Sequence, residues 1–293
     1  MDTASLPPLL EHSKGLNHLA FGSDGARLAV ADTALNVEVR EGDRLVWARS
    51  LASTNYKVMG IQRIRGIAFA PDSSALYALA SDILYALDAE TGEELWRYQP
   101  PRALGFLVVS TSSLAVRADG LVAAAFDNGA IGVWTPEGIL KGLWKDVDTQ
   151  RHMAFLPDGR LVGDDSFGLT VFDVSTRKRV RRTSLHDRAF GLATSATGRV
   201  AVRTLHEAWQ MSPEGEIYSK TPVEPGLPLL AFHPTEPMLA LGAAHAVHLV
   251  DSEGKKLHRI PVEDTTVVSM AFTPDGRVIV GGADRSVRFL ETA

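Results

Sequence analysis

The hexapeptide AFTPDG at residues 271–276, followed by the apolar run VIVGG, decides the fold of this chain. It is the last of seven copies of one box, and each copy follows an apolar residue and precedes an apolar run. The earlier copies read AFGSDG from Ala20, AFAPDS from Ala68, AVRADG from Ala115, AFLPDG from Ala154, ATSATG from Ala193 and AFHPTE from Ala231. The offsets between the alanines are 48, 47, 39, 39, 38 and 40 residues. A period of about 40 residues made of short strands and turns is typical of a β-propeller.

The third repeat shows most clearly that each unit contains four short strands. We expect strands at Ser113–Val116, Leu121–Phe126, Ala130–Trp134 and Ile139–Trp144, separated by tight turns. A Pro-Asp-Gly turn favours a hairpin, because Pro fixes φ, Asp bonds back to the backbone and Gly accepts a positive φ. The sequence therefore predicts an all-β fold, a seven-bladed β-propeller of four-stranded antiparallel blades.

The seventh repeat supplies only three strands before the sequence ends at Ala293. They are expected at Val267–Phe272, Arg277–Gly281 and Val287–Leu290. The segment Ser5–His12 precedes the first box and has no hairpin partner of its own. We predict that it is the fourth strand of the last blade, so that residues 1–293 form a single closed domain. Its two prolines are tolerated there because an outermost strand has one unpaired edge.

Composition and charge exclude several classes of function. Lys and Arg number 30 and Asp and Glu 35, a net charge of −5 that gives no reason to expect nucleic acid as a partner. The chain has no cysteine, which excludes disulfides and thiolate chemistry. We see neither a signal peptide at the start nor an apolar run long enough for a membrane helix. We therefore expect a cytoplasmic protein that does not enter a membrane.

Three segments resemble the WD repeat of WD40 propellers: DNGAIGVW at 127–134, DSFGLTVFD at 165–173 and DRSVRFLE at 284–291. In that family a turn Asp and a Trp at the end of the third strand belong to a hydrogen-bonded structural set. The resemblance assigns these structural roles to Asp127, Asp165, Asp284 and Trp134. The segment LDAETGEELW at 87–96 resembles instead the repeat of quinoprotein-type propellers.

The resemblance implies a rigid platform for protein partners, and two long loops suggest where such a partner binds. Residues 52–65 and 100–112 make the first two repeats about eight residues longer than the others. Their basic and aromatic side chains are the types enriched in interface cores. The candidate partner-binding residues are Tyr56, Lys57, Met59, Gln62, Arg63, Arg65, Arg102 and Phe106. The alternative is a tolerated insertion with solvated charges, because loops accept extra residues at little entropic cost.

Motifs for catalysis and metal binding are missing from the sequence. There is no G-x-S-x-G nucleophile motif and no phosphate-binding glycine loop before a helix. His18 and His152 occupy equivalent inner-strand positions, whereas the spacing of His245 and His248 directs them to opposite faces. We therefore predict a non-enzymatic adaptor without cofactor, metal or small-molecule substrate, acting alone or within a multi-protein complex. The alternative is a propeller hydrolase, lyase or lactonase with its site at the mouth of the central channel.

Overall fold

The computed structural model describes residues 5–6, 15–51, 63–80, 83–99, 111–126, 129–144, 151–165 and 167–290, and these contain strands and turns without a helix. The strands form seven four-stranded sheets, and every paired neighbour is antiparallel. The fold is therefore the seven-bladed β-propeller that the repeats predict. The chain divides into two compact units, a first unit of residues 10–150 and a second unit of residues 1–9 and 151–293.

Each sheet follows the order of its strands along the chain, from the box strand outward. In the first unit the sheets are β2 (Leu16–Phe21), β3 (Arg27–Asp32), β4 (Asn36–Glu41) and β5 (Arg44–Ser50); β6 (Ile64–Phe69), β7 (Ala75–Ala80), β8 (Ile83–Asp88) and β9 (Glu94–Tyr98); and β10 (Thr111–Val116), β11 (Val122–Phe126), β12 (Ala130–Trp134) and β13 (Leu140–Trp144). In the second unit three of the sheets are β14 (His152–Phe155), β15 (Leu161–Asp164), β16 (Gly168–Asp173) and β17 (Lys178–Ser184); β18 (Gly191–Thr194), β19 (Val200–Arg203), β20 (Glu207–Met211) and β21 (Ile217–Pro222); and β22 (Leu230–Phe232), β23 (Leu239–Ala243), β24 (Ala246–Val250) and β25 (Lys256–Pro261).

The last sheet of the second unit joins the two ends of the chain. It contains β26 (Val267–Phe272), β27 (Val278–Gly282), β28 (Val287–Leu290) and the N-terminal strand β1 (Ser5–Leu6). Strand β1 runs antiparallel to β28, with Ser5 opposite Arg288 and Leu6 opposite Val287. The prediction that the N-terminal segment completes the seventh blade is confirmed. The remainder of that predicted strand, residues 7–12, lies outside the described residues.

Three predicted strands begin one residue too early, and the reason is the same each time. Leu121, Ile139 and Arg277 are apolar or long side chains that directly follow the turn glycine. Their carbonyls instead close the turn, accepting from the amides of residues 117, 135 and 273 at 2.8, 2.9 and 2.8 Å. The residue after the glycine is thus the last residue of the turn. That all 293 residues form a single domain remains a prediction.

The hydrophobic core lies between consecutive sheets of each unit. The central strands are almost wholly buried on both faces; in β7, for example, Leu76 packs toward the first sheet and Tyr77 toward the third. In the second unit, Val171 and Trp209 belong to the cluster that joins the sheets of β16 and β20. Alternate residues of a central strand therefore stabilise two different inter-sheet contacts.

In the first unit, a directional bond ties each sheet to the next. Trp47 in β5 donates its indole N–H to the carbonyl of Ala89 at 3.0 Å. Trp96 in β9 donates to the carbonyl of Pro136 at 2.6 Å. In both cases the outer strand of one sheet is bonded to the turn between the third and fourth strands of the following sheet. We call this contact the inter-sheet bond.

The second unit makes the same contact with threonine. Thr221 in β21 donates its hydroxyl to the carbonyl of Gly254 at 2.8 Å. Thr183 in β17 packs so closely on Gly215 that a Cβ there would lie 2.6 Å from its Cγ2. The contact therefore requires a hydrogen-bond donor or a small branched side chain on the outer strand. It also requires a glycine at the turn position that faces this side chain.

A β-bulge recurs in six of the outer strands. In β5, β9, β13, β17, β21 and β25 one residue is left without a register partner: Val46, Leu95, Lys141, Val180, Tyr218 and Leu257. Bulges twist an edge strand away from a regular ladder and so oppose pairing with another chain. The bulge acts together with the basic side chains of these strands, such as Arg181 in β17.

We predict that Gly92→Ala destabilises the protein more than Gly42→Ala. Both glycines have positive φ, +72° and +57°, in turns between third and fourth strands. A Cβ at Gly92 would lie 2.7 Å from Trp47, whereas a Cβ at Gly42 meets nothing within 4 Å. The backbone strain common to both is about 1–2 kcal/mol, and overpacking adds about 1–3 kcal/mol at Gly92 alone. Thermal unfolding of both variants measures the difference, and equal melting temperatures would contradict the tight inter-sheet bond.

Candidate partner-binding surface

The large apolar side chains that are exposed in the described residues fall into two groups. Eight of them lie on or directly beside the bulged outer strands: Leu45, Leu95, Ile139, Leu140, Val180, Ile217, Tyr218 and Leu257. The other three lie in connections of the second unit, and we call Phe167, Leu205 and Leu227 the rim triad. Their exposed fractions are 60%, 61% and 45%. The bulges do not account for the exposure of the rim triad. The bulges lie near the turns between third and fourth strands, whereas the rim triad lies in connections at the opposite strand ends.

Phe167 is presented by the turn between β15 and β16. Asp165 fixes this turn, because its Oδ1 accepts the amide of Phe167 at 3.2 Å and its amide donates to the carbonyl of Gly168 at 3.0 Å. Arg182 holds the other oxygen of Asp165 at 2.7 Å. The carbonyl of Phe167 accepts the amide of Leu185 at 2.7 Å, which joins the turn to the following loop. The backbone of Phe167 is thus fixed while its ring faces solvent.

Leu205 occupies the equivalent connection of the next sheet, between β19 and β20. The amide of Thr204 donates to the carbonyl of Glu207 at 2.8 Å, and its hydroxyl oxygen accepts the amide of Glu207 at 3.1 Å. The backbone carbonyl of His206 accepts the amide of Val223 at 3.0 Å. This bond is the counterpart of the one from Leu185 to the carbonyl of Phe167. The turn is closed by its flanking residues, which leaves the side chain of Leu205 at the tip.

Leu227 lies in the loop that joins β21 to β22. The carbonyl of Pro225 accepts the amide of Ala244 at 3.1 Å, and the carbonyl of Leu227 accepts the amide of Leu229 at 2.7 Å. A Cβ on Gly226 would lie 2.6 Å from the nitrogen of Ala244. Only glycine allows this close approach of two backbones, so the loop is fixed against the turn of the next sheet.

The same loop is held from beneath by a buried arginine. Arg203, at the end of β19, is 2% exposed and donates to the carbonyls of Glu224 at 3.1 Å and Gly242 at 3.4 Å. Burial lowers the pKa of Arg203 to about 10, so the guanidinium stays charged at neutral pH. Its Nε has no hydrogen-bond partner among the described residues. Outside it, the Nε2 of His248 lies 3.0 Å from a carboxylate oxygen of Glu224.

Two of the candidate residues from the long loops fall within the described residues. Arg63 is exposed and directly precedes β6, and Arg65 is half-buried within that strand. Both raise the positive potential at His18 on β2. Burial, against a hydrogen bond with the backbone of Ile64 that raises it, and with a smaller effect of the two arginines, lowers the pKa of His18 to about 4. The remaining candidates, Tyr56, Lys57, Met59, Gln62, Arg102 and Phe106, lie outside the described residues.

The residues with WD-type structural roles lie in the expected places where they are described. Trp134 ends β12, is buried, and packs on Tyr98 with ring centroids 4.7 Å apart. Asp165 and Asp284 each precede a third strand and accept hydrogen bonds from their own turns, as Asp284 does from Ser286. Asp127 lies outside the described residues.

An Asp–His pair that the sequence analysis missed joins the two innermost strands of one sheet, with His152 in β14 and Asp164 in β15. Asp164 is fully buried at the end of β15, and its Oδ1 lies 2.8 Å from the amide nitrogen of His152 and 2.9 Å from its Nδ1. The carboxylate therefore orients the imidazole ring. No group of three His, Cys, Asp or Glu that could hold a metal occurs among the described residues. The described residues also contain no helix that could span a membrane.

Comparison with family models assigns this propeller to a protein family. Residues 34–204 match the model PQQ_2, described as outer membrane protein assembly factor BamB. The chain belongs to the PQQ_2 family. Within this PQQ_2 propeller, residues 254–289 also match the model of the WD domain, G-beta repeat. Both resemblances noted in the sequence are thereby confirmed, since the quinoprotein-like segment 87–96 lies in the first match and most of the WD-like segment 284–291 in the second.

Solved structures similar to this PQQ_2 propeller show the same fold. A chain of the mitotic checkpoint complex is 15% identical with a TM-score of 0.77, and the match covers 99% of this chain and 89% of that one. The U3-55K structure is 13% identical with a TM-score of 0.81, with 98% and 99% covered. No curated protein matches the sequence. At these identities the likeness establishes the fold alone.

The sequence contains a signal for two residues of the rim triad, and loop length and net charge do not show it. Turns between strands favour Gly, Asn, Asp and Ser, so a Phe or Leu at a hairpin tip departs from the pattern. DSFG at 165–168 and TLHE at 204–207 each place one apolar residue at such a tip. Comparing the second-to-third-strand turns of this PQQ_2 propeller would have identified both.

We predict that Arg203→Leu loosens the loop that carries Leu227. The change removes both bonds to backbone carbonyls while keeping an apolar side chain in the buried position. Hydrogen exchange of residues 223–230 and 242–245 should become faster than in the wild type. Arg199→Leu, an arginine at the other end of β19, serves as the control. Unchanged exchange in Arg203→Leu would show that the loop is fixed without the guanidinium.

We predict that His18 makes the protein less stable as the pH falls from about 6.5 to about 4. In this window the unfolded chain protonates the imidazole, whereas the folded protein keeps it neutral. Stability is therefore unaffected above pH 6.5 and is lost progressively below it. The fall in melting temperature between pH 7 and pH 5 should be smaller in His18→Gln than in the wild type. His258→Gln, which removes an exposed histidine of β25, should behave as the wild type does.

Proposed function

We propose that the protein is a non-enzymatic platform that binds a partner protein through the rim triad. The observation that supports this is the presentation of Phe167, Leu205 and Leu227 on backbone turns that hydrogen bonds already fix. A surface ordered before binding loses little conformational entropy on association. Large apolar and aromatic side chains supply most of the energy of such contacts. A partner with a complementary apolar surface would bury all three.

We propose further that the long loops contribute a second part of the binding surface. This rests on the basic and aromatic composition of residues 52–65 and 100–112, and on the exposure of Arg63. The substitutions Tyr56→Ala, Arg63→Ala and Arg65→Ala together test it. If this combination leaves partner binding unchanged, the rim triad alone accounts for the surface.

The family assignment supports a role inside a larger assembly. The matching model is that of an outer membrane protein assembly factor, and one similar structure is a chain of the mitotic checkpoint complex. We propose that this protein is likewise a subunit of a multi-protein complex, located in the cytoplasm. Cell fractionation of the native host distinguishes this location from one at an outer membrane.

The enzyme alternative rests on the Asp164–His152 pair. A buried carboxylate that orients an imidazole is an arrangement found in general acid–base sites. Such a site also needs a substrate pocket beside the pair. Two depressions formed by described residues of the second unit lie instead at the opposite ends of the strands, among turns that do not contain His152. The platform is therefore the function that the structure supports better.

Site-specific photocrosslinking tests the rim triad. We expect p-benzoylphenylalanine in place of Leu205 to form a defined adduct with a partner in cells of the native host. Adding Phe167→Ser and Leu227→Ser should lower the adduct yield at least about tenfold, because losing two apolar anchors weakens binding by more than about 1.4 kcal/mol.

The control places the same photocrosslinker at Leu95, an exposed apolar residue of a bulged outer strand. It should not form the adduct seen from position 205. The proposal fails if both positions give the same adduct, or if the two serine substitutions leave the yield from position 205 unchanged.

A further inference from the structure

A second candidate site lies at the opposite strand ends of the second unit. A depression of about 230 Å³ opens there between the first turns of two neighbouring sheets. Its walls include Phe232, Pro234 and Pro237 from one turn and Thr197 and Arg199 from the other. Drug-sized ligands occupy about 300–1,000 Å³. The depression is therefore suited to one large side chain rather than to a small-molecule substrate.

In two other sheets of the second unit, an arginine after the turn glycine pairs with the aspartate of the same box. Arg160 lies 2.7 Å from Asp158 in the fourth copy of the box. Arg277 lies 2.9 Å from Asp275 in the seventh copy. In both boxes the aspartate pairs with the guanidinium, and Arg160 also contacts Glu214 of the following sheet at 3.2 Å.

The fifth copy, ATSATG, keeps the arginine and loses the aspartate. Thr197 stands where five of the other copies have Asp, and the sixth copy also has Thr, Thr235, there. Arg199 has no carboxylate partner among the described residues. One nitrogen of Arg199 donates to the carbonyl of Ser252 at 2.8 Å, and the ring of Tyr218 lies 4.9 Å below its guanidinium carbon. These two contacts hold the group in place beside the depression. Its remaining donors match the fork of a carboxylate.

A buried acceptor lies in the wall of the same depression. Gln210 is 2% exposed, and its Nε2 donates to the carbonyl of Asp251 at 2.6 Å. This bond fixes the orientation of the amide. Its Oε1 accepts no hydrogen bond from the described residues and is not sealed from solvent. The wall of the depression therefore offers an incoming donor a carbonyl oxygen of fixed orientation.

We propose that this depression binds a segment of a partner protein in which a tryptophan or tyrosine lies beside a carboxylate. The ring fills the space between Phe232 and the prolines, and its N–H or O–H donates to Oε1 of Gln210. The neighbouring carboxylate pairs with Arg199. The site is separate from the rim triad and does not depend on the function proposed above.

Fluorescence anisotropy with labelled peptides tests the proposal on the full-length chain. The probe is Ac-SEWES-amide, which supplies an indole between two carboxylates. Ac-SEFES-amide removes the N–H donor, and Ac-SQWQS-amide removes the carboxylates. Each change should weaken binding about five- to tenfold, the effect of one buried or charge-assisted hydrogen bond. The proposal fails if the three peptides bind equally well.

Thr197→Asp is the decisive variant, because it restores the internal pair of the fourth and seventh boxes. We expect it to keep or raise the melting temperature and to weaken Ac-SEWES-amide about tenfold, while leaving Ac-SQWQS-amide unchanged. Equal binding of Ac-SEWES-amide to Thr197→Asp and wild type would overturn the role of Arg199. Because this variant preserves a turn already present in the fold, a loss of binding is not attributable to misfolding.

Two further measurements delimit the site. Phe167→Ser with Leu227→Ser should bind Ac-SEWES-amide as the wild type does, because the rim triad lies at the other strand ends. N-acetyltryptophan should bind more weakly than the peptide. If it binds as tightly, the ligand is a small aromatic acid and the proposed partner segment is wrong.

Discussion

The inter-sheet bond is the interaction on which the rest of the structure depends. A four-stranded sheet with two apolar faces is not stable alone, and apolar packing between sheets is non-directional. The bonds from Trp47 to Ala89 and from Trp96 to Pro136 add direction, because each joins one outer strand to one carbonyl of the next sheet. Misplacing the second sheet would leave the buried indole N–H of Trp47 unpaired, which costs about 1–3 kcal/mol. The bond therefore selects a single alignment for each pair of sheets.

Once the sheets are aligned, the two sets of strand ends are free to differ in composition. The ends that make the inter-sheet bond need turns with glycine, as at Gly92 and Gly254. The other ends make no such bond, and their turns are closed by their own side chains, as Asp165 and Thr204 do. The side chain at the tip of such a turn is exposed and makes none of the hydrogen bonds that close the turn. The presence of Phe167 and Leu205 at these tips is therefore not explained by folding, which is why they are the best candidates for binding.

Sequence reasoning recovered the fold because the repeated signals are local. The box alanine, the turn glycine and the apolar alternation each act within a few residues, so strands such as Ala130–Trp134 were located correctly. It placed Leu121 in a strand because the residue that closes a turn is defined by its carbonyl and not by its side chain. It emphasised loop length and charge, which led to Tyr56 and Arg102 and away from Leu227. The role of Arg203 could not be inferred, because burial of a charged strand residue is set by the neighbouring sheet.

The degenerate copies of the box carry more functional information than the well-preserved ones. In the fourth copy, where Pro-Asp-Gly is intact, Asp158 closes the turn and also pairs with Arg160. In the fifth and sixth copies the third box residue closes the turn instead, through the hydroxyl of Ser195 and the imidazole of His233. The turns survive without the box aspartate, and Arg199 is left beside a depression whose lining also includes Glu236. In a repeat protein the fold needs only that the turn be closed, so a change of the closing group releases the original residues for recognition.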